Sequence, residues 1–165
     1  MIHFGLQTPV MTQEEKDLLK LRLRNHCVEQ LRERLDVTEQ LIIRAQDAAN
    51  NEGKSSAGDK YETARSMSQL EKQMYQKQAQ QLRNELAVVT AIDLSRSGEV
   101  VTRGSLVYAG KMMIFVCAGL GKQLVDSATV LFISQDAPLF KLIAGKTIGD
   151  RFMLSRQLLT ITEIW

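Results

Sequence analysis

Two long runs of the chain, roughly Thr12–Asn50 and Lys60–Asp93, contain neither proline nor glycine. In the first, Leu21, Val28, Leu35, Ile42 and Ala49 recur every seven residues, with Leu31, Thr38 and Ala45 at the intermediate position. That spacing predicts a helix with a heptad seam, weakening from Leu and Ile to Ala along its length. In the second run the seam reads Tyr61, Ala64, Met67, Leu70 and Met74, then Ala79, Leu82, Leu86 and Val89. A slip around Tyr75–Gln78 predicts a stutter there. The short polar stretch between the runs, Asn50 to Tyr61 with Gly53 and Gly58, is turn chemistry. So short a link folds two helices back on each other, which favours an antiparallel hairpin over 12–93 with its tip at about 50–60. A parallel dimer through the first helix is the competing geometry. Thr12 with Glu14 and Glu15 suits a helix start, and residues 1–11, with Pro9, read as an N-terminal tail.

After about Leu94 the period changes. Val100-Val101, Ser105–Tyr108, Met112–Val116 and Thr129–Ile133 read as short strands, with Ala109-Gly110-Lys111 as a tight turn and Gly119 and Gly121 as punctuation. Ser134 is the expected N-cap of a short helix with Pro138 in its first turn, an apolar face of Leu139, Leu142 and Ile143, and Gly145 at its end. Arg151–Ser155 and Leu158–Trp165 complete a small antiparallel sheet. The fold class is therefore α+β: a helical hairpin, then a β domain with one short helix over 97–165.

Composition changes this picture little. Apolar residues make up 44% of the chain but aromatics only 5%, so aliphatic packing dominates. Cys27 and Cys117 give neither a disulfide framework nor metal-ligand spacing. No apolar run approaches the roughly 20 residues of a membrane span, and no secretory signal is legible, so a cytoplasmic protein without a membrane partner is expected. The net charge is +2; residues 1–93 carry 13 basic and 14 acidic side chains, residues 94–165 carry 8 and 5. Neither half has a basic stripe interleaved with aromatics, so direct nucleic-acid recognition lacks support.

Self-contained catalysis also lacks support. Ala144-Gly145-Lys146-Thr147 resembles the end of a phosphate loop, but Phe140 stands where that motif needs glycine, and a helix precedes it. Gly119-Leu120-Gly121 is a lone pair of glycines. Cys117 has no histidine in its own domain, since the only two are His3 and His26. No cofactor or metal is expected, and no enzymatic activity.

The stretch Ile133-Ser134-Gln135-Asp136-Ala137-Pro138-Leu139, followed by Leu142-Ile143-Ala144-Gly145-Lys146 and Gly149-Asp150, resembles the I-S-x-D/N-S-P-x…A-L-x-G-K-x-x-G-D signature of the bacterial Gre transcript-cleavage factors. Leu159–Ile164 is similar to their closing strand. At the tip, Gly53, Ser56, Tyr61, Ala64 and Arg65 match residue types of the family's G-D-L-S-E-N-A-E-Y-x-A-A-R run. The resemblance spans about residues 12–165. It implies a coiled-coil domain followed by a domain like the FKBP prolyl isomerases, and a partner, bacterial RNA polymerase. The C-terminal domain would dock at the rim of the polymerase secondary channel, with Ser134, Asp136 and Pro138 in the docking loop. The hairpin of a single copy, acting as a monomer, would enter the channel, and nucleic acid would be met only inside that complex.

In the family, two tip acids help hold a second Mg²⁺ and activate water. Here those positions fall on Lys54 and Ala57. An ammonium repels Mg²⁺ and a methyl group offers it no ligand. The resemblance therefore implies a regulator of elongation without strong cleavage stimulation. One alternative is a cleavage factor in which Asp59 or Glu52 substitutes; Glu62 is a further nearby acid. A prolyl isomerase needs an aromatic-lined pocket, for which the domain offers Tyr108, Phe115, Phe132, Phe140, Phe152 and Trp165. A coiled-coil interaction module unrelated to polymerase is the remaining alternative.

Overall fold

The computed structural model of the protein describes residues 10–52, 58–96 and 98–165, apart from the side chain of Glu52. Two long helices, α1 (Gln13–Glu52) and α2 (Gly58–Thr90), precede a domain with strands β1 (Leu106–Ala109), β2 (Met112–Val116), β3 (Gly121–Val125) and β4 (Ala128–Ile133). Helix α3 (Pro138–Ile143) and strands β5 (Arg151–Leu154) and β6 (Gln157–Ile164) follow. The α+β class expected from the pattern is the class observed. At the start of α1, Thr12 and Glu15 form a reciprocal capping pair: the Glu15 amide donates to Thr12 Oγ1 and the Thr12 amide to Glu15 Oε2.

Residues Cys27–Ala91 make one compact unit, the α1–α2 hairpin. Along α1 it buries Cys27, Leu31, Thr38, Ala45 and Ala49, while Leu35 and Ile42 are half-buried. Along α2 the inward positions are Tyr61, Ala64, Ser68, Lys72, Tyr75, Ala79, Leu82, Leu86 and Val89. They follow one another at three- and four-residue steps, with two four-residue steps in succession at Ala64, Ser68 and Lys72, so the stutter lies nearer the tip than the expected Tyr75–Gln78. Met67, Leu70 and Met74, which the heptad spacing assigns to the seam, are exposed. The reason is steric and polar together. Ala45, Ala49 and Ser68 fill the tip-proximal seam with small side chains, where Met or Leu would hold the helices apart. Lys72 also donates to Gln46, and the Arg83 guanidinium meets Glu39 at 2.6 Å.

The second compact unit joins the chain up to His26 with Ile92–Trp165, so the first turns of α1 belong with the sheet. Strand order is β3-β4-β2-β1-β6-β5. All pairings are antiparallel except β2 with β4, which are parallel, correcting the all-antiparallel sheet expected. The cause is β3, which the hydrophobic pattern does not reveal: it hairpins with β4 on the outer side, and β4 returns beside β2 in the same direction. Val100-Val101 is not a strand but a single bridge from Val100 to Thr147. Ile161 and Ile164 both reach the core although three residues apart, because a bulge at Tyr108/Ala109 shifts the register there.

One face of the sheet (Val107, Ile114, Val116, Ile133, Phe152, Ile161) packs with Leu139 and Ile143 of α3. The alternate residues meet α1. His26 lies against Phe132, 5.7 Å between ring centroids, and bonds Gln123; Lys16 Nζ sits 4.7 Å over the Trp165 ring. Lys20 is only 2% exposed, and its ammonium donates to the carbonyls of Leu94 and Arg96 at 3.3 Å each. These bonds tie the segment after α2 to α1, and burial lowers the Lys20 pKa against the opposing pull of Asp17 and Asp93.

Candidate functional site

The loop from β4 to α3 holds the three residues singled out for docking. Ser134 follows β4 and is half-buried; its carbonyl accepts the Ala137 amide at 3.2 Å, closing a turn that leaves Gln135 and Asp136 exposed. Ser134 does not cap the helix. The N-cap is Ala137, with extended φ of −63° and ψ of 140° and no side-chain cap bond. Pro138 explains why a cap is dispensable: at the first helical position it removes one of the amides that a cap would satisfy. Asp136 is thus a carboxylate on a short, stiffened loop with its side chain in solvent.

Helix α3 adds a residue that the apolar spacing assigns to the core. Leu142 is 44% exposed and lies one turn after the exposed Pro138, on the same face. Its neighbours Leu139 and Ile143 are buried as expected. The exposed surface here therefore combines Asp136, Pro138 and Leu142: one anion and two apolar groups.

The rest of the motif is held rigidly behind this loop. Gly145 follows the helix at φ +73°, and its amide donates to the Val101 carbonyl, while the Val101 amide donates to the Lys146 carbonyl. Asp150 accepts from the Thr147 amide at 2.8 Å and from the Thr147 hydroxyl at 3.2 Å; these bonds lower its pKa below the usual carboxylate value. Lys146, Thr147 and Asp150 are accounted for by turn geometry rather than by a phosphate.

At the hairpin tip, Asp59 lies exposed in the first turn of α2, where the helix dipole favours a carboxylate. Glu62 and Arg65 are exposed, whereas Tyr61 and Ala64 turn inward. Lys54, Ala57 and the side chain of Glu52 lie outside the described residues, so the geometry tests none of the three. Among the described residues, no group of three His, Cys, Asp or Glu side chains can hold a metal, and no helix is long and apolar enough to cross a membrane.

The aromatics do not converge on one pocket. Phe152 and Phe140 pack on the α3 side of the sheet. Phe115 and Phe132 meet edge to face on the other side, and Tyr108 packs on Trp165 there at 4.7 Å. Burial, then Glu163, pushes the Tyr108 pKa up to about 12. No protein-family model matches the chain, and no curated protein matches it either.

Proposed function

We propose that the protein is a Gre-like regulator of bacterial RNA polymerase. Its C-terminal domain, of the FKBP-like type, docks at the rim of the secondary channel through Asp136, Pro138 and Leu142. The α1–α2 hairpin occupies the channel and modulates elongation without strongly stimulating RNA cleavage. The observation that carries this reading is the coexistence of two features in one chain. One is a hairpin of 40- and 33-residue helices. The other is a stiff β4–α3 loop that offers an exposed carboxylate beside exposed Pro138 and Leu142. Two helices side by side are about 20 Å across, slim enough to enter a cleft that excludes a globular domain. Proline stiffening lowers the ordering cost when the loop meets a partner.

The tip argues for occupancy over catalysis. A second catalytic Mg²⁺ takes few protein ligands, so replacing both acids by Lys54 and Ala57 removes most of what the factor would supply. Lys54 instead suits the acidic residues or RNA phosphates of a polymerase active centre. The test is RNA cleavage in a backtracked complex by wild type and by Lys54→Asp, Ala57→Glu. Little cleavage by wild type and a gain in the double variant are expected. Fast cleavage by wild type that is lost in Asp59→Ala favours the second reading, a cleavage factor served by the solvent-facing Asp59. Failure of every variant to bind polymerase leaves a coiled-coil interaction module.

A further inference from the structure

The hairpin carries a second apolar seam that its own fold does not use. Met67, Met74, Gln81 and Val88 of α2 are spaced seven residues apart and so share one face. Leu70 lies between the first two. Met67, Leu70 and Met74 are 62%, 64% and 48% exposed, and Val88 is 40% exposed. Gln78, Gln81 and Glu85 of this face form one wall of a groove between the helices, about 540 Å³ in volume, whose other wall is Glu33, Arg34 and Val37 of α1. Val37 is itself 57% exposed. Thr38, whose hydroxyl donates to the Arg34 carbonyl, also lines the groove.

The two sides of the hairpin are therefore unlike. On one, Arg83 bridges to Glu39 across the helices. On the other, the described residues place no ion pair across the groove, and the exposed methionines and leucine continue its line toward the tip.

We infer that this face is the contact surface for a second copy of the same chain, two hairpins packing groove to groove as a four-helix bundle. Three features select a second copy. First, five large apolar side chains, each roughly half exposed, leave on the order of 400 Å² of apolar surface per copy, the scale at which a patch marks an interaction site. Two such faces with their polar flanks reach the roughly 1,000 Å² that a specific interface needs. Second, the charged residues along the face are of both signs, Glu33, Glu71 and Glu85 with Arg34 and Lys77, so opposite charges can pair when like faces meet. Third, the heptad spacing is that of a seam, which packs against another helix of the same period.

This differs from the monomer expected from the sequence, and it stands independently of the polymerase reading. If the hairpin is also what enters a channel, self-association and insertion exclude each other, because both use the same half of α2.

Sedimentation equilibrium of the full chain tests the proposal. Wild type is expected to reach a dimer by about 100 µM, the range of a weak specific contact. Leu70→Lys, Met74→Lys should weaken association at least tenfold while keeping its helical circular dichroism, since both side chains are solvent-facing. Gln69→Lys, on the opposite side of α2, should leave it unchanged. A monomeric wild type, a double variant that dimerises as well as wild type, or loss of the dimer in Gln69→Lys overturns the proposal. Polymerase binding by these variants, measured separately, distinguishes its failure from failure of the channel reading.

Discussion

Lys20 offers a prediction whose size follows from the structure. Its side chain is buried to 2% exposure, and the ammonium reaches two backbone carbonyls at 3.3 Å. Two opposite contributions meet there. Charge-assisted hydrogen bonds contribute about 1.5–3 kcal/mol each at good geometry, and these are at the long end of the range. Against them stands desolvation of the ammonium, several kcal/mol after relaxation. The two nearly cancel, so most of the net stabilisation comes from the buried aliphatic stem, at ~0.8 kcal/mol per methylene.

Lys20→Met keeps most of the stem and loses the charge, so it should change stability by less than about 1 kcal/mol at neutral pH. Lys20→Ala removes three methylenes and should cost about 2–3 kcal/mol. The pH dependence has a definite sign. Burial lowers the folded-state pKa below 10.5, so the folded chain gives up this proton first. Between the folded value and 10.5 the unfolded chain binds more protons, and wild type therefore gains stability relative to Lys20→Met as pH rises. Urea unfolding followed by Trp165 fluorescence reads both effects, since the chain has one tryptophan and it lies in the same compact unit. A methionine variant as unstable as the alanine variant, or one that gains on wild type with rising pH, refutes the reasoning.

Three further outcomes follow from local geometry. Gly104 has φ +87°, and a Cβ there would lie 2.6 Å from Ile92 Cγ2, a stiff buried branch, so Gly104→Ala should cost about 2 kcal/mol or more by thermal unfolding. Ser155 and Arg156 both have positive φ, at 48° and 67°, in the two-residue β5–β6 turn; Asn-Gly there should raise stability to urea by roughly 0.5–1 kcal/mol. The Thr147 bonds depress the Asp150 pKa, so its stabilisation is present above the ordinary carboxylate pKa and is lost as pH falls through the lowered one. Wild type should therefore exceed Asp150→Asn in stability near neutral pH and converge with it in acid.

The long elements are legible in the sequence because they depend on local pattern. Tens of residues without Gly or Pro and a polar, glycine-bearing break leave a hairpin as the simplest arrangement. The inward face of α2 near the tip is not legible, because Met67, Leu70 and Met74 outweigh Ser68, Lys72 and Tyr75 on any hydrophobicity count. Inside the hairpin the deciding factors are close approach of small side chains and the Lys72–Gln46 bond, both properties of two helices together. β3 escapes notice because as an edge strand it keeps Gly121, Lys122 and Leu124 exposed, blurring the alternation. The two-residue Asp126-Ser127 turn before Ala128, both at positive φ, is the available signal. Of the three residues proposed for docking, Asp136 is exposed in the turn after β4 and Pro138 opens α3, while Ser134 begins that turn instead of capping a helix. Leu142 faces outward because the short α3 buries only Leu139 and Ile143 against the sheet.

The central claim, docking of this chain on bacterial RNA polymerase through the β4–α3 surface, is tested most directly by binding to core polymerase in solution. Fluorescence anisotropy of the labelled full chain should show saturable binding. Asp136→Ala, Pro138→Ala, Leu142→Ala, all exposed and therefore folded, should weaken it at least tenfold, about 1.4 kcal/mol. No saturable binding by wild type, or a folded triple variant that binds as tightly as wild type, contradicts the account.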